Sequence, residues 1–216
     1  MSHVKRLSSP RTWPVPRKGT KYLTSPLPGK SKELSLPLTL VLREMLKIAS
    51  TKKEVKSMIH AKEVLVNGKV SSDDKSSIGI FDIISLPKTN KNYKLIINEK
   101  RKLGLEEIKE SETKTSARKV IGKTSLDGNK LQLNLFNGWN TVSDMKVKVN
   151  DSLILDLSKG KVLKHLPLKE GAKVQVVGGS HLGKKGSVDK ITELQADVKI
   201  GGNIFQIKKE NLYVVD

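Results

Sequence analysis

The chain contains no cysteine, so neither a disulfide framework nor a thiolate metal site can be built from it. Aromatic residues make up only 4% of its 216 residues, and apolar residues 36%. That is thin for one large core and adequate for several small ones. Acidic residues are few beside basic ones, 22 Asp and Glu against 41 Lys and Arg. The resulting charge of +19 makes a polyanion the first partner to expect. No apolar run approaches the roughly 18 residues of a membrane span, and the basic N-terminus has no signal-peptide apolar core. A soluble intracellular chain with no membrane partner is expected. The four histidines, at 3, 60, 165 and 181, have no metal-ligand spacing, and no nucleophile-elbow motif occurs. Catalysis, a metal and a cofactor are therefore not expected.

Positive charge is concentrated in two stretches. Residues 1–37 hold eight basic residues and one acidic residue, and 88–166 hold 17 against nine. Six of the eight prolines also lie in 1–37, which excludes a regular helix or central strand there. Residues 1–36 read as an extended basic arm, poorly ordered alone. Lys5, Arg6, Arg11, Arg17, Lys18 and Lys21 follow a phosphate backbone in this reading, while Trp13 and Tyr22 stack on bases or sugars.

From 37 to 87 the pattern is helical, then extended. Leu38, Val41, Leu42, Met45 and Ala49 recur at helical spacing, with Ser35 as the expected N-cap. Thr51 and Glu54 have capping-box spacing ahead of Val55, Met58 and Ile59, leaving Lys52, Lys53 and Lys56 outward. Val64 to Val70 enclose Asn67-Gly68, the signal of a tight hairpin, and Ile80–Leu86 reads as a strand ended by Pro87.

Residues 88–168 read as a central β domain. Tyr93–Ile97 alternates like a strand, Asn98–Lys102 as a charged turn, and 105–118 as a short surface helix. Val120, Leu131, Leu133, Leu135, Val142, Leu153, Leu155 and Leu157 then mark strand faces, punctuated by Asp127-Gly128 and Asn137-Gly138.

In 169–216, alternating valines lead into a loop with glycines at 178, 179, 183 and 186. Gly178 to Lys184 fits G-x-x-x-x-G-K, but Lys185 replaces the Mg²⁺-holding hydroxyl and the residues after it alternate like a strand. A phosphate-binding loop requires a helix there, so the nucleotide-hydrolase reading is rejected. The GXXG clamp of Gly183–Gly186 fails for the same reason, because that clamp joins helices. Gly179, His181, Lys184 and Lys185 remain as RNA-contact candidates, with main chain able to approach closely at the glycines.

Three of these stretches carry a resemblance. Two basic helices, an Asn-Gly hairpin and the string Gly79-x-x-Asp82-Ile83-Ile84 resemble the RNA-binding module of small-subunit ribosomal protein four, a module also found in pseudouridine synthases and tyrosyl-transfer-RNA synthetases. The resemblance implies RNA contacts at Arg43, Lys47, Lys52, Lys53, Lys56, Asn67, Lys69 and Lys75. Lys62 stands where that module commonly has a helix-ending glycine, and Ser71 where a basic residue is frequent.

Leu131-Gln132-Leu133-Asn134-Leu135, with Asn137-Gly138 and Asn140, resembles the central domain of the archaeal and eukaryotic type of that ribosomal protein. There the turn usually reads His-Asp-Gly-Arg-Asn, against Phe136-Asn137-Gly138-Trp139-Asn140 here. The glycine loop between valine strands is similar to a KOW motif, which builds a small five-stranded SH3-like barrel. His3-x-Lys5-Arg6-Leu7, Pro10-x-x-Trp13 and Pro26-x-Pro28-Gly29 extend the match across the arm. The fold implied is α+β and mostly β: arm, helix-helix-hairpin module, central β domain and barrel. The function implied is a structural constituent of the small ribosomal subunit in the cytoplasm, bound to small-subunit ribosomal RNA and neighbouring ribosomal proteins, not a homo-oligomer. The rival reading is a KOW-containing transcription elongation or translation-regulatory factor.

Overall fold

A computed structural model describes residues 3–126, 130–143 and 145–215. The chain forms two compact units, Met1–Lys114 and Thr115–Asp216.

The N-terminal unit opens with β1 (His3–Lys5) and β2 (Tyr22–Thr24), an antiparallel pair with Val4 opposite Leu23. After them come β3 (Ser35–Pro37), α1 (Leu38–Leu40) and α2 (Lys52–His60). The hairpin β4 (Leu65–Val66) and β5 (Lys69–Val70) follows, then β6 (Ser77–Gly79), β7 (Ile83–Leu86), β8 (Lys91–Ile97) and β9 (Leu103–Ile108). Five strands make one antiparallel sheet in the order β5-β4-β7-β8-β9, and β3 pairs with β6.

Four expectations are corrected in this unit. The arm is folded rather than extended and free: Val4, Trp13, Val15 and Leu23 are buried, and that apolar area is what orders a proline-rich segment. Ser35 is not a helix cap, because its backbone sits in β3 opposite Gly79. The first helix is short. α1 opens directly into a π-type turn at Val41–Met45, where Leu46 N–H donates to Val41 O at 3.0 Å, and Lys47 at φ 54° then turns the chain out of helical geometry. Leu38, Leu40, Val41 and Leu42 are all buried, as expected of a turn apolar on every side. Finally, the break expected after Pro87 lies at 114/115, since β8 and β9 add to the sheet edge at β7 and bury Leu95, Ile97 and Leu103.

The C-terminal unit begins with β10 (Thr115–Leu126), a long strand; no surface helix forms in 105–118, where β9 ends and a 3-10 turn at Glu110–Lys114 leads into β10. Weak helical periodicity loses there to strand pairing on both sides. β11 (Lys130–Leu135), β12 (Trp139–Val142), β13 (Ser152–Asp156) and β14 (Val162–Leu166) complete an antiparallel sheet of order β12-β11-β10-β13-β14. Its core is Val120, Leu133, Leu135, Val147, Leu153 and Leu155. Val142, read as marking a strand face, ends the edge strand β12 and is 53% exposed. Asn137 and Gly138 make their turn with φ 65° and 74°, while the Asp127-Gly128 turn lies outside the described residues.

A second five-stranded sheet, β18-β17-β16-β15-β19, is built from β15 (Lys173–Val176), β16 (Lys185–Ile191), β17 (Gln195–Ile200), β18 (Asn203–Lys208) and β19 (Leu212–Val214). Val174, Val176, Val188, Ala196, Val198, Ile207, Leu212 and Val214 fill its core. A Cβ at Gly186 would come within 2.5 Å of Lys199 O, so glycine is what lets β16 lie against β17 there. No helix among the described residues is long and apolar enough to cross a membrane.

Candidate nucleic-acid interface

The basic surface is built most directly on α2. Thr51 and Glu54 form the full capping box: Glu54 N–H donates to Thr51 Oγ1 at 3.3 Å, and the Glu54 carboxylate accepts from Ser50 N–H at 2.7 Å and from the Thr51 amide and hydroxyl. Those donors, Ser50 first, hold the Glu54 carboxyl below its ordinary range. Val55 and Ile59 are buried; Lys52 and Lys56 flank that stripe and Lys53 stands opposite it, all three exposed. Lys53 and Lys56 are exposed to solvent. Lys52 is steadied by Asp74, its Nζ lying 3.0 Å from the carboxylate. Burial pushes the Asp74 carboxyl up, but the hydrogen bond and charge of Lys52, with Thr39 and Lys56, outweigh it and hold the group below its ordinary value. Lys47 is exposed at the end of the π turn, Arg43 is half-buried and paired with Glu44 at 2.7 Å, and Lys75 is half-buried in the β5–β6 connection.

The hairpin turn has the left-handed angles its sequence requires, φ 51° at Asn67 and 77° at Gly68, and Lys69 is exposed just after it. Asn67 itself is not an RNA-facing side chain. It is buried, with Nδ2 donating to Asp82 Oδ1 at 2.9 Å and Oδ1 accepting from Ile83 N–H at 2.9 Å. Asp82 is fully buried and also accepts from Gly79 N–H at 2.7 Å and from Lys30 Nζ. Lys30 donates further to Ser77 O at 2.7 Å. One carboxylate thus ties the arm, the hairpin and β6 together.

The arm divides its cations between inside and outside. Arg6 is buried, and its guanidinium donates to Thr20 O at 2.6 Å, Pro16 O at 2.9 Å and Thr20 Oγ1 at 2.7 Å. It is the clasp of the loop between β1 and β2, so it leaves the set of backbone-tracking cations. Trp13 is 2% exposed, with its indole N–H donating to Lys32 O at 3.0 Å, so it is a core residue and not a stacking platform. Lys5, Arg11, Arg17, Lys18 and Lys21 remain exposed, Arg17 donating to Leu7 O at 2.9 Å. The ring at this surface is Tyr22, 46% exposed, edge-on to His3 at 4.7 Å between centroids, with Lys21 Nζ 5.4 Å from its ring. Spacing alone could not separate Trp13 from Tyr22; burial does.

In the C-terminal unit the glycine loop brings together what the sequence grouped and one residue it did not. Gly179 is exposed at φ 81°, and Lys185 is exposed at the start of β16. His181 packs on Phe205 of β18, with ring centroids 4.2 Å apart and 36° between planes, and Lys184 Nζ lies 5.8 Å from the same ring. Phe205 stands outside the motif, so only the pairing of the sheet could reveal it. Elsewhere in this unit, Lys119 is a cation used internally. Its Nζ donates to Lys209 O at 2.7 Å and Glu210 O at 2.8 Å, and burial lowers it to about 8 against the opposing charge of Glu210.

The family described as ribosomal family S4e matches residues 89–162. The small ribosomal subunit protein eS4 of Methanocella arvoryzae is 39% identical over 191 residues, covering 88% of this chain and 81% of its own. That of Korarchaeum cryptofilum is 35% identical over 217 residues, covering 99% and 92%. The crystal structure of the 30S ribosomal protein S4e from Thermoplasma acidophilum superposes with a TM-score of 0.72 at 23% identity, over 84% of this chain and 95% of that one. With relatives above 30% identity aligned along nearly its whole length, the chain belongs to the ribosomal S4e family.

Proposed function

We infer that the chain is a structural constituent of the small ribosomal subunit, working in translation as part of the cytoplasmic ribosome. The observation that carries this is near-full-length similarity to proteins named small ribosomal subunit protein eS4. Small-subunit ribosomal RNA and neighbouring ribosomal proteins are its partners in this reading, and its work is neutralisation and positioning rather than chemistry.

Lys52, Lys53, Lys56, Lys47, Lys69 and Lys75 serve as phosphate contacts on the helix-hairpin module, which resembles the RNA-binding module of small-subunit ribosomal protein four. Lys5, Arg11, Arg17, Lys18 and Lys21 do the same along the arm, and Gly179, His181, Lys184 and Lys185 at the glycine loop, read as a KOW loop on an SH3-like barrel. The exposure of Lys47, Lys52, Lys53, Lys56, Lys69, Lys185 and the five arm cations supports the assignment. With roughly eight phosphates contacted, affinity falls with about the seventh power of salt concentration.

The deciding experiment is sedimentation of the tagged protein from cell extract in Mg²⁺, repeated after nuclease. Stoichiometric presence in the small-subunit peak, lost on nuclease treatment, is expected. Light fractions, or migration with RNA polymerase, would overturn the reading in favour of a regulatory factor.

A further inference from the structure

The N-terminal unit carries a hollow of about 270 Å³ on its five-stranded sheet, apart from the lysines of α2. Strand register sets Leu65, Ser85 and Asn92 side by side on β4, β7 and β8. Directly opposed residues share a face, so these three form its floor. Asn90, left-handed at φ 52° in the β7–β8 turn, and Glu110, in the 3-10 turn after β9, also line it, and Pro87 adds an apolar edge.

Two features suit this hollow to a ligand. The side chains of Ser85, Asn90, Asn92 and Glu110 make no hydrogen bond to other described residues, so their donors and acceptors are available to a ligand. A cation also stands at the rim: Lys88 lies between the lining residues Pro87 and Asn90, with its ammonium paired to Glu63. A concave site in which apolar Leu65 and Pro87 stand beside several polar groups has the form that holds a base while its phosphates stay outside.

We propose that this hollow receives one ribosomal RNA base turned out of its stack, and that the base is guanine. Glu110 as a carboxylate only accepts hydrogen bonds. Among the four bases, guanine alone offers two adjacent N–H donors on its Watson–Crick edge, the match for a carboxylate. The Asn90 and Asn92 amides supply donors for its O6 and N7 acceptors, and Leu65 and Pro87 lie against the ring. This rests on the ribosomal reading above.

The test uses the full chain, full-length small-subunit ribosomal RNA and kethoxal, which attacks the N1–N2 edge of guanine. The wild-type chain should protect one guanine that becomes reactive with Glu110→Gln, and affinity should fall about tenfold without change in salt slope. Asn92→Ala should weaken binding at the same guanine. Changing that guanine to adenine should reproduce the loss and leave Glu110→Gln no further effect. Thermal unfolding of both variants at the wild-type midpoint confirms that the fold is kept. Binding within twofold of wild type and an unaltered kethoxal pattern in both variants would overturn the proposal. Failure of the wild-type chain to bind the RNA at all would overturn the ribosomal reading, and the guanine site with it.

Discussion

The arm and the second helix of the N-terminal unit have similar basic composition and use it in opposite ways. In the arm, Arg6 and Lys30 are turned inward, one clasping three oxygens of the β1–β2 loop and the other seated on the buried Asp82. On α2, Lys53 and Lys56 face solvent, and their removal would leave no protein oxygen stranded. A formal charge of +19 therefore overstates the charge available to a polyanion. Part of it is structural, held where a missing partner would leave unsatisfied polar groups.

Substitutions can break this comparison, beginning with the inward set. Asp82→Ala removes the acceptor for Lys30, Asn67 and Gly79 in a fully buried site and should cost about 3–5 kcal/mol in denaturant unfolding. Trp13→Ala should cost a similar 3–5 kcal/mol, about the range of large-to-small core changes. Neither should alter the salt slope of RNA binding by protein that remains folded. The outward set should behave in reverse. Lys53→Ala or Lys56→Ala should move stability by no more than about 0.5 kcal/mol, while lowering the salt slope by about one. A large loss of stability in Lys53→Ala would collapse the distinction between the two regions.

Lys119 sharpens the comparison in the C-terminal unit, since it too is an inward cation but one that burial makes easier to deprotonate. Its folded value, about 8, lies below the ordinary 10.5, so between those limits the unfolded chain binds more protons. This group's contribution to stability therefore rises with pH from about 8 to 10.5. Unfolding midpoints measured across that window should show the rise in the wild type and lose it in Lys119→Met.

What was legible in the sequence follows how local the cause is. The Thr51–Glu54 box and the Asn67-Gly68 turn are decided within a few residues, and both formed as read. Ser35 has the chemistry of a cap, yet pairing with Gly79, distant in sequence, decides its conformation. The helix expected over 105–118 failed because β10 finds partners on both sides. At the candidate interface, exposed lysines were legible from helical spacing, whereas the inward roles of Arg6, Trp13 and Asn67 depend on loop carbonyls and a carboxylate that no periodicity reveals. Phe205 was missed because it joins His181 only across the folded sheet.

Tyr213 in β19 accepts from Lys119 N–H and donates to Ala117 O, joining residues 94 and 96 positions apart. Because a polypeptide is made from its N-terminus, β10 must wait for nearly a hundred further residues before this joint can close. A contact of such long range slows folding and leaves its partners open in the interval. The C-terminal unit is thereby finished late in synthesis, whereas α2 can cap and pack as soon as its own neighbourhood has emerged.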